Sequence, residues 1–258
     1  SFQYRLKKNL QIINGNILDN FVIKNGTPKF LKNFEGSVFS MLSGGAAKNN
    51  YWHWIFDVLP KIGMIEKLNL KYKPDYYLLP SLKKKYQIET LLDLKIPKKK
   101  LLNGEKYKHI QCDNLLTVDH PYVFKNNPSK SIVNIPIWLI KWLRKKYVNT
   151  NSVKSNSFKK IYIDREDDSI LENRRIVNNK DVKNLLINHG FSVVSLSSYS
   201  FREQVKMFNS AKFIVGLHGA GFANLVFSKP NTRVIELTSK YGGNVLHYLG
   251  KRCNLNYK

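Results

Sequence analysis

The sequence predicts an α/β protein built on parallel strands, and three features of its second part carry that expectation. Short β-branched and aromatic runs recur at Lys160–Asp164 (KIYID), Phe191–Leu196, Lys212–Leu217 (KFIVGL) and Thr232–Leu237 (TRVIEL). Segments of helical spacing lie between them, at Asn179–His189 and Ser200–Ala211. Stop and start signals mark the boundaries: Gly190 closes the first helix, and Ser200 with Glu203 three residues on forms a capping box for the second. Strands separated by helices of this length make parallel βαβ units.

The first part is less regular. A strand pair is expected around Asn14-Gly15 within Gln11–Ile23. Asn50–Leu68 reads as a long helix broken or kinked at Pro60, Asp75–Leu79 as a strand, Lys84–Leu94 as a helix and Leu115–Val118 as a strand. Pro136–Tyr147 (PIWLIKWLRKKY) opens with proline at a first-turn position and continues as an apolar helix with basic residues. The polar stretch Asn149–Ser157 (NTNSVKSNS) has no periodicity and marks a linker. Two domains follow, 1–150 and 151–258.

Composition narrows the class. A hydrophobic fraction of 43% and an aromatic fraction of 12% exclude a disordered chain. The net charge is +25, from 43 Lys+Arg against 18 Asp+Glu. Two causes compete for it: a genome rich in AT, which favours Lys, Asn and Ile together, or attraction to a polyanion such as nucleic acid or an anionic membrane face. The two cysteines, Cys112 and Cys253, have no metal-ligand spacing and fit a reducing compartment. No apolar run reaches the roughly 18 residues a membrane span needs, and no signal-peptide pattern stands at Ser1. The expected location is cytoplasmic, with peripheral contact at a membrane as an option through the basic helix at 136–147.

The strongest local pattern is Gly216-Leu217-His218-Gly219-Ala220-Gly221, between the strand KFIV and the helix FANLVF. Glycines there let backbone approach a ligand, and the N–H groups that open the helix suit a diphosphate. The same glycines would equally serve tight packing of strand on helix. Arg165 follows the strand KIYID, so it also lies at a carboxyl end, and Arg174 and Arg175 follow in REDDSILENRR. Arginine forks match phosphate oxygens, although a loop so rich in both charges also pairs internally. Glu236 ends TRVIEL, where a carboxylate can accept ribose hydroxyls or pair with a lysine. In the first part His53 and Asp57 share a helix face within NYWHWIFDVLP, with Trp52, Trp54 and Phe56 beside them as sugar platforms or as core.

With these pieces in order, the sequence resembles glycosyltransferase family 61. The match rests on NYWHWIFDVLPKI, YIDRED, NRRIVNNKDV, LINHGFSVV and FREQVKMFNSAKFIVGLHGAGFANLVFSKPNTRVIEL. The run from Ile161 to Leu237 is its most specific part. The resemblance implies a GT-B-like architecture, two Rossmann-like domains facing across a cleft, with inversion at the anomeric carbon and no obligatory metal or other cofactor. It implies a nucleotide-sugar donor, with UDP the nucleotide suggested, and a glycan or glycolipid acceptor, as in cell-surface polysaccharide synthesis. Arg165, His218, Gly219, Ala220 and Gly221 would hold the diphosphate, assisted by Arg174 or Arg175. Asn224 is counted among the donor-binding residues, and Glu236 would touch the nucleoside. Asp57 is the expected base, with His53 as its alternative or its orienting partner. Asn178-Asn179 stands where the family has Asn-Glu, which leaves an asparagine to cap the following helix. Two other readings remain open at this point: a basic nucleic-acid-binding module, against which the dispersed charge and lack of a known motif speak, and a sugar-nucleotide-binding scaffold without activity.

Overall fold

The computed structural model describes residues 31–43, 45–68, 73–122, 131–148, 158–165, 176–239 and 243–258. The strand pair expected near Asn14, the linker 149–157, and Arg174 and Arg175 lie outside the described residues.

The first half opens with β1 (Lys32–Ser40), which the sequence pattern did not reveal. Its register against the neighbouring strand shifts between Phe34 and Ser37, and Gly36 within the shift has φ 85°. A bulge of this kind breaks the alternation by which a strand is read. Glycine is required there twice over, because a Cβ would also lie 2.5 Å from the Asp75 carboxylate. After β1 the chain enters one long helical segment in three parts: α1 (Tyr51–His53), a π-helical turn (Trp54–Val58) and α2 (Pro60–Lys67). The expected break at Pro60 is this π-turn. Proline has no N–H to donate and its ring crowds the carbonyl four residues back, so the preceding turn widens and Leu59 N donates to Trp54 O at 3.1 Å. Trp52, Trp54 and Phe56 are buried, Trp54 and Phe56 completely, so they are core residues and not an exposed sugar platform.

The half continues through β2 (Tyr76–Leu79), α3 (Lys85–Asp93), β3 (Leu101–Asn103), β4 (Ile110–Thr117) and α4 (Ile137–Tyr147). Pro136 precedes α4 as its N-cap residue. Leu139, Ile140 and Leu143 of α4 are buried, so the apolar stripe of this basic helix faces the protein interior. Among the described residues no helix is long and apolar enough to cross a membrane.

The second half alternates as expected: β5 (Lys160–Asp164), α5 (Asn179–Asn188), β6 (Ser192–Ser195), α6 (Phe201–Ser210), β7 (Phe213–Leu217), a 3₁₀-helix (Ala220–Phe227), β8 (Arg233–Leu237), α7 (Val245–Arg252) and β9 (Asn256–Tyr257). The capping box of α6 is formed, with Ser200 N donating to Glu203 at 2.7 Å. The helix after the glycine turn is 3₁₀, not α. No side chain caps α5; Asn179 instead accepts from Tyr162 Oη at 2.6 Å and donates to Asp164 at 3.2 Å.

Among the described residues all strand pairs are parallel, in two sheets of order β3-β2-β1-β4 and β6-β5-β7-β8-β9. Both are doubly wound orders, and each reverses direction once: between β1 and β4 in the first sheet, and between β5 and β7 in the second. In such sheets a crevice opens at the carboxyl ends of the two strands flanking the reversal. One apolar core runs through both halves, from Trp54 and Leu59 to Phe208 and Phe227. α4 helps join them: Arg144 donates to Val226 O at 2.6 Å and to Ser228 O at 2.9 Å, and Tyr147 packs edge-on against Phe201.

Candidate active site

The sequence-predicted residues fall into two clusters, one at each reversal point. The first lies beyond the carboxyl ends of β1 and β4. The π-turn after α1 keeps His53 and Asp57 on one face, and His53 Nδ1 meets Asp57 Oδ2 at 2.7 Å. The chain leaving β4 adds two residues that sequence reasoning missed. Tyr122 Oη donates to Asp57 Oδ1 at 2.6 Å, and His120 Nε2 lies 3.6 Å from the same oxygen. His120 Nδ1 lies 2.8 Å from Tyr122 O, so both ring nitrogens are engaged. Lys61 is a third addition: 6% exposed, it donates through Nζ to Leu42 O at 2.5 Å just past β1.

This environment sets the chemistry of each group. Burial alone would raise the Asp57 carboxyl, but bonds from His120, His53 and Tyr122 outweigh it and hold the pKa at about 2. The same carboxylate raises His120 against the opposing effect of burial. Burial lowers the Lys61 ammonium, partly offset by the Asp57 and Asp119 charges. Burial also pushes the Tyr122 hydroxyl upward, so it remains a donor. Asp57 is therefore a fixed anion with both oxygens occupied, which makes it a poor proton acceptor near neutrality. With Asp57 receiving Nδ1–H, His53 presents Nε2 as a basic lone pair, and Nε2 has no partner among the described residues.

The second cluster lies beyond β5 and β7. Arg165, directly after β5, donates from Nη1 to His218 O at 2.7 Å. Its guanidinium lies across Gly219 so closely that a Cβ there would overlap it. Gly216 is needed for packing, since its Cβ would press on Ile163 and Phe222 at 3.0 and 3.1 Å. Gly216 thus serves tight packing of strand on helix, and Gly219 makes room for the Arg165 guanidinium. The amides of Ala220 and Gly221 open the 3₁₀-helix, where no earlier turn can bond them.

Glu236 and Asn224 both have partners within the protein. Glu236, at the end of β8, holds the Nδ1 side of His218 in a short hydrogen bond, and its other oxygen accepts from Tyr257 Oη at 2.6 Å. Each carboxylate oxygen thereby accepts one hydrogen bond within the protein, and Glu236 orients His218. Asn224 is completely buried. It accepts from Tyr51 Oη at 2.6 Å and donates to Gln204 Oε1 at 2.9 Å. It therefore ties the start of the His53 helix to the helix that follows Gly219, and its amide has no exposed surface to offer a donor.

The missed residues left unequal traces. His120 and Tyr122 sit just beyond the strand expected at 115–118, so an inventory of polar residues after each strand would have found Asp119-His120-Pro121-Tyr122. Lys61 and Tyr257 carry no such signal, since only the fold brings them to their partners.

No curated protein matches the chain significantly. The sequence model described as Glycosyltransferase 61 matches residues 51–235, which takes in the His53 helix, the reversal point between β5 and β7 and the glycine turn. Covering well over half of the chain, this match makes the protein a member of glycosyltransferase family 61.

Proposed function

We propose that the chain is an inverting, metal-independent glycosyltransferase of GT-B type. In this reading it moves a sugar from a UDP-sugar to a hydroxyl of a glycan or glycolipid. One observation carries the proposal: a His–Asp pair at one sheet reversal and an arginine-backed glycine turn at the other, tied through Tyr51 and Asn224.

His53 Nε2 takes the proton of the acceptor hydroxyl while Asp57 holds Nδ1–H and steadies the imidazolium that forms. The acceptor oxygen attacks the anomeric carbon opposite the leaving nucleotide. Negative charge grows on the departing diphosphate, against the Arg165 guanidinium, the Ala220 and Gly221 amides and His218. Donors fixed in advance at the place where charge appears are usually the largest catalytic contribution. His120 and Tyr122 keep the carboxylate ionised and in place.

A thermal-shift screen against UDP, GDP, CDP, TDP and CMP in EDTA tests the donor side. UDP is expected to raise Tm by roughly 5–10 °C at about a hundredfold excess over Kd, and Arg165→Ala to abolish the rise. The proposal fails if no nucleotide shifts Tm or if Arg165→Ala responds like the parent. With a turned-over acceptor, an NMR coupling constant that shows a retained anomeric configuration would refute inversion.

A further inference from the structure

Away from both clusters, an opening lies at the opposite, amino edge of the first sheet. It is a cavity of about 440 Å³, large enough for a small organic ligand. Ile62, Ile65, Leu94 and Ile96 form apolar walls. Lys73, Lys95 and Lys100 supply cations at its lining, with Glu66 the one acid. Glu66 is already answered, by Lys146 Nζ at 2.7 Å and Trp142 Nε1 at 2.8 Å. Lys100 touches Pro74 O at 3.2 Å. Lys95 adopts a left-handed backbone, φ 60°, just past the end of α3, a place glycine fills at lower energy. The surroundings match an interfacial surface: Leu68 and Ile137 are 61% and 41% exposed, and Lys67 Nζ stands 4.3 Å from the Trp138 ring.

We infer that this cavity seats the anionic headgroup and upper acyl chain of a membrane phospholipid. The chain would thus dock on an anionic bilayer by the edge opposite its reaction crevices. Apolar walls beneath a cationic rim suit an amphiphile whose charge and chain enter together, and the exposed Leu68 and Ile137 side chains suit the headgroup layer. The buried stripe of α4 is not the membrane-facing element; the open edge beside it is.

The test is co-sedimentation of the full chain with phosphatidylglycerol–phosphatidylcholine vesicles and with phosphatidylcholine alone. Three proteins are compared: the parent, a pocket variant (Lys73→Gln, Lys95→Gly, Lys100→Gln) and a charge-matched control (Lys206→Gln, Lys229→Gln, Lys251→Gln) on exposed positions of the second half. The parent and control are expected to pellet with the anionic vesicles only. The pocket variant should partition roughly 100-fold more weakly. Lys95→Gly relaxes the backbone, so Tm of the pocket variant should not fall on that account. Short-chain lysophosphatidylglycerol should raise the parent's Tm, whereas glycerol 3-phosphate and lysophosphatidylcholine should not. Equal loss in pocket and control variants would reduce the effect to diffuse charge and overturn the proposal. Absence of pelleting, equal binding to neutral vesicles, or an equal Tm rise with the headgroup alone would overturn it as well.

Discussion

Asp57 shows how neighbours decide what a carboxyl group does. Its folded pKa, about 2 against 3.8, is depressed, so the stability it contributes is present above the ordinary value and lost as pH falls through the folded one. The shift corresponds to roughly 2 kcal/mol. His120 is the same interaction seen from the other partner: its pKa is raised, so its contribution is complete below the ordinary histidine value and is lost as pH rises through the folded one. Denaturant melts from about pH 5 to pH 2 should therefore show a steep acid loss in the parent and a shallower one in Asp57→Asn. In assays, His53→Ala and Asp57→Asn should each lower kcat by roughly 10²–10⁴-fold, with the nucleotide-induced Tm rise intact. Normal turnover by His53→Ala would place the base elsewhere. At the other cluster, Gly219→Ala must displace the Arg165 guanidinium. Its expected signature is a roughly 10²-fold loss in kcat/KM for the donor, with little change in Tm.

At the scale of elements, the π-turn decides where Asp57 stands. Trp54–Val58 widens because Pro60 cannot continue the regular ladder, and the widened turn lies between His53 and the helix that carries Lys61. Pro60→Ala restores an N–H that can bond Phe56 O and so favours a regular α-helix. Stability should hold or rise while kcat falls, as read from Tm and steady-state rates; a variant with parental kcat would show that the π-turn has no part in placing the pair. Strand β1 is the counterpart in the sheet. Its bulge at Gly36 hides the alternation but aligns Val38 and Phe39 for the core and delivers the chain to the first crevice.

At the scale of the whole molecule, the two halves are coupled by buried polar contacts as well as by apolar packing. Tyr51, Asn224 and Gln204 form a chain across the junction. Removing one member leaves a buried group unpaired, at a cost of about 1–3 kcal/mol. Tyr51→Phe and Asn224→Ala should each destabilise by about that amount, and the double variant by less than their sum. Additive losses, measured by denaturant unfolding, would show that the contact does not join the halves. Arg144, with two carbonyls of the second half on its guanidinium, makes the same link from α4.

The amino-acid sequence by itself determined the parallel α/β character of the second half, because local periodicity and capping there agree with the tertiary arrangement. It also determined the family, because the glycine turn and the His–x–x–x–Asp helix are short-range patterns. Local order could not reveal β1, whose alternation is broken by a bulge. It placed His120 and Tyr122 just after a strand but could not show that they converge on Asp57, which they meet only when β1 and β4 pair. The division of roles was tertiary too. Spacing put His53 and Asp57 on one face, but which of them takes a proton depends on how many donors converge on the carboxylate. Glu236 and Asn224 stand near the expected place in sequence, yet partners remote along the chain, Tyr257 and Tyr51, occupy their polar atoms. A residue's type and position state what it can do; its desolvation and its partners, which only the folded chain supplies, select what it does.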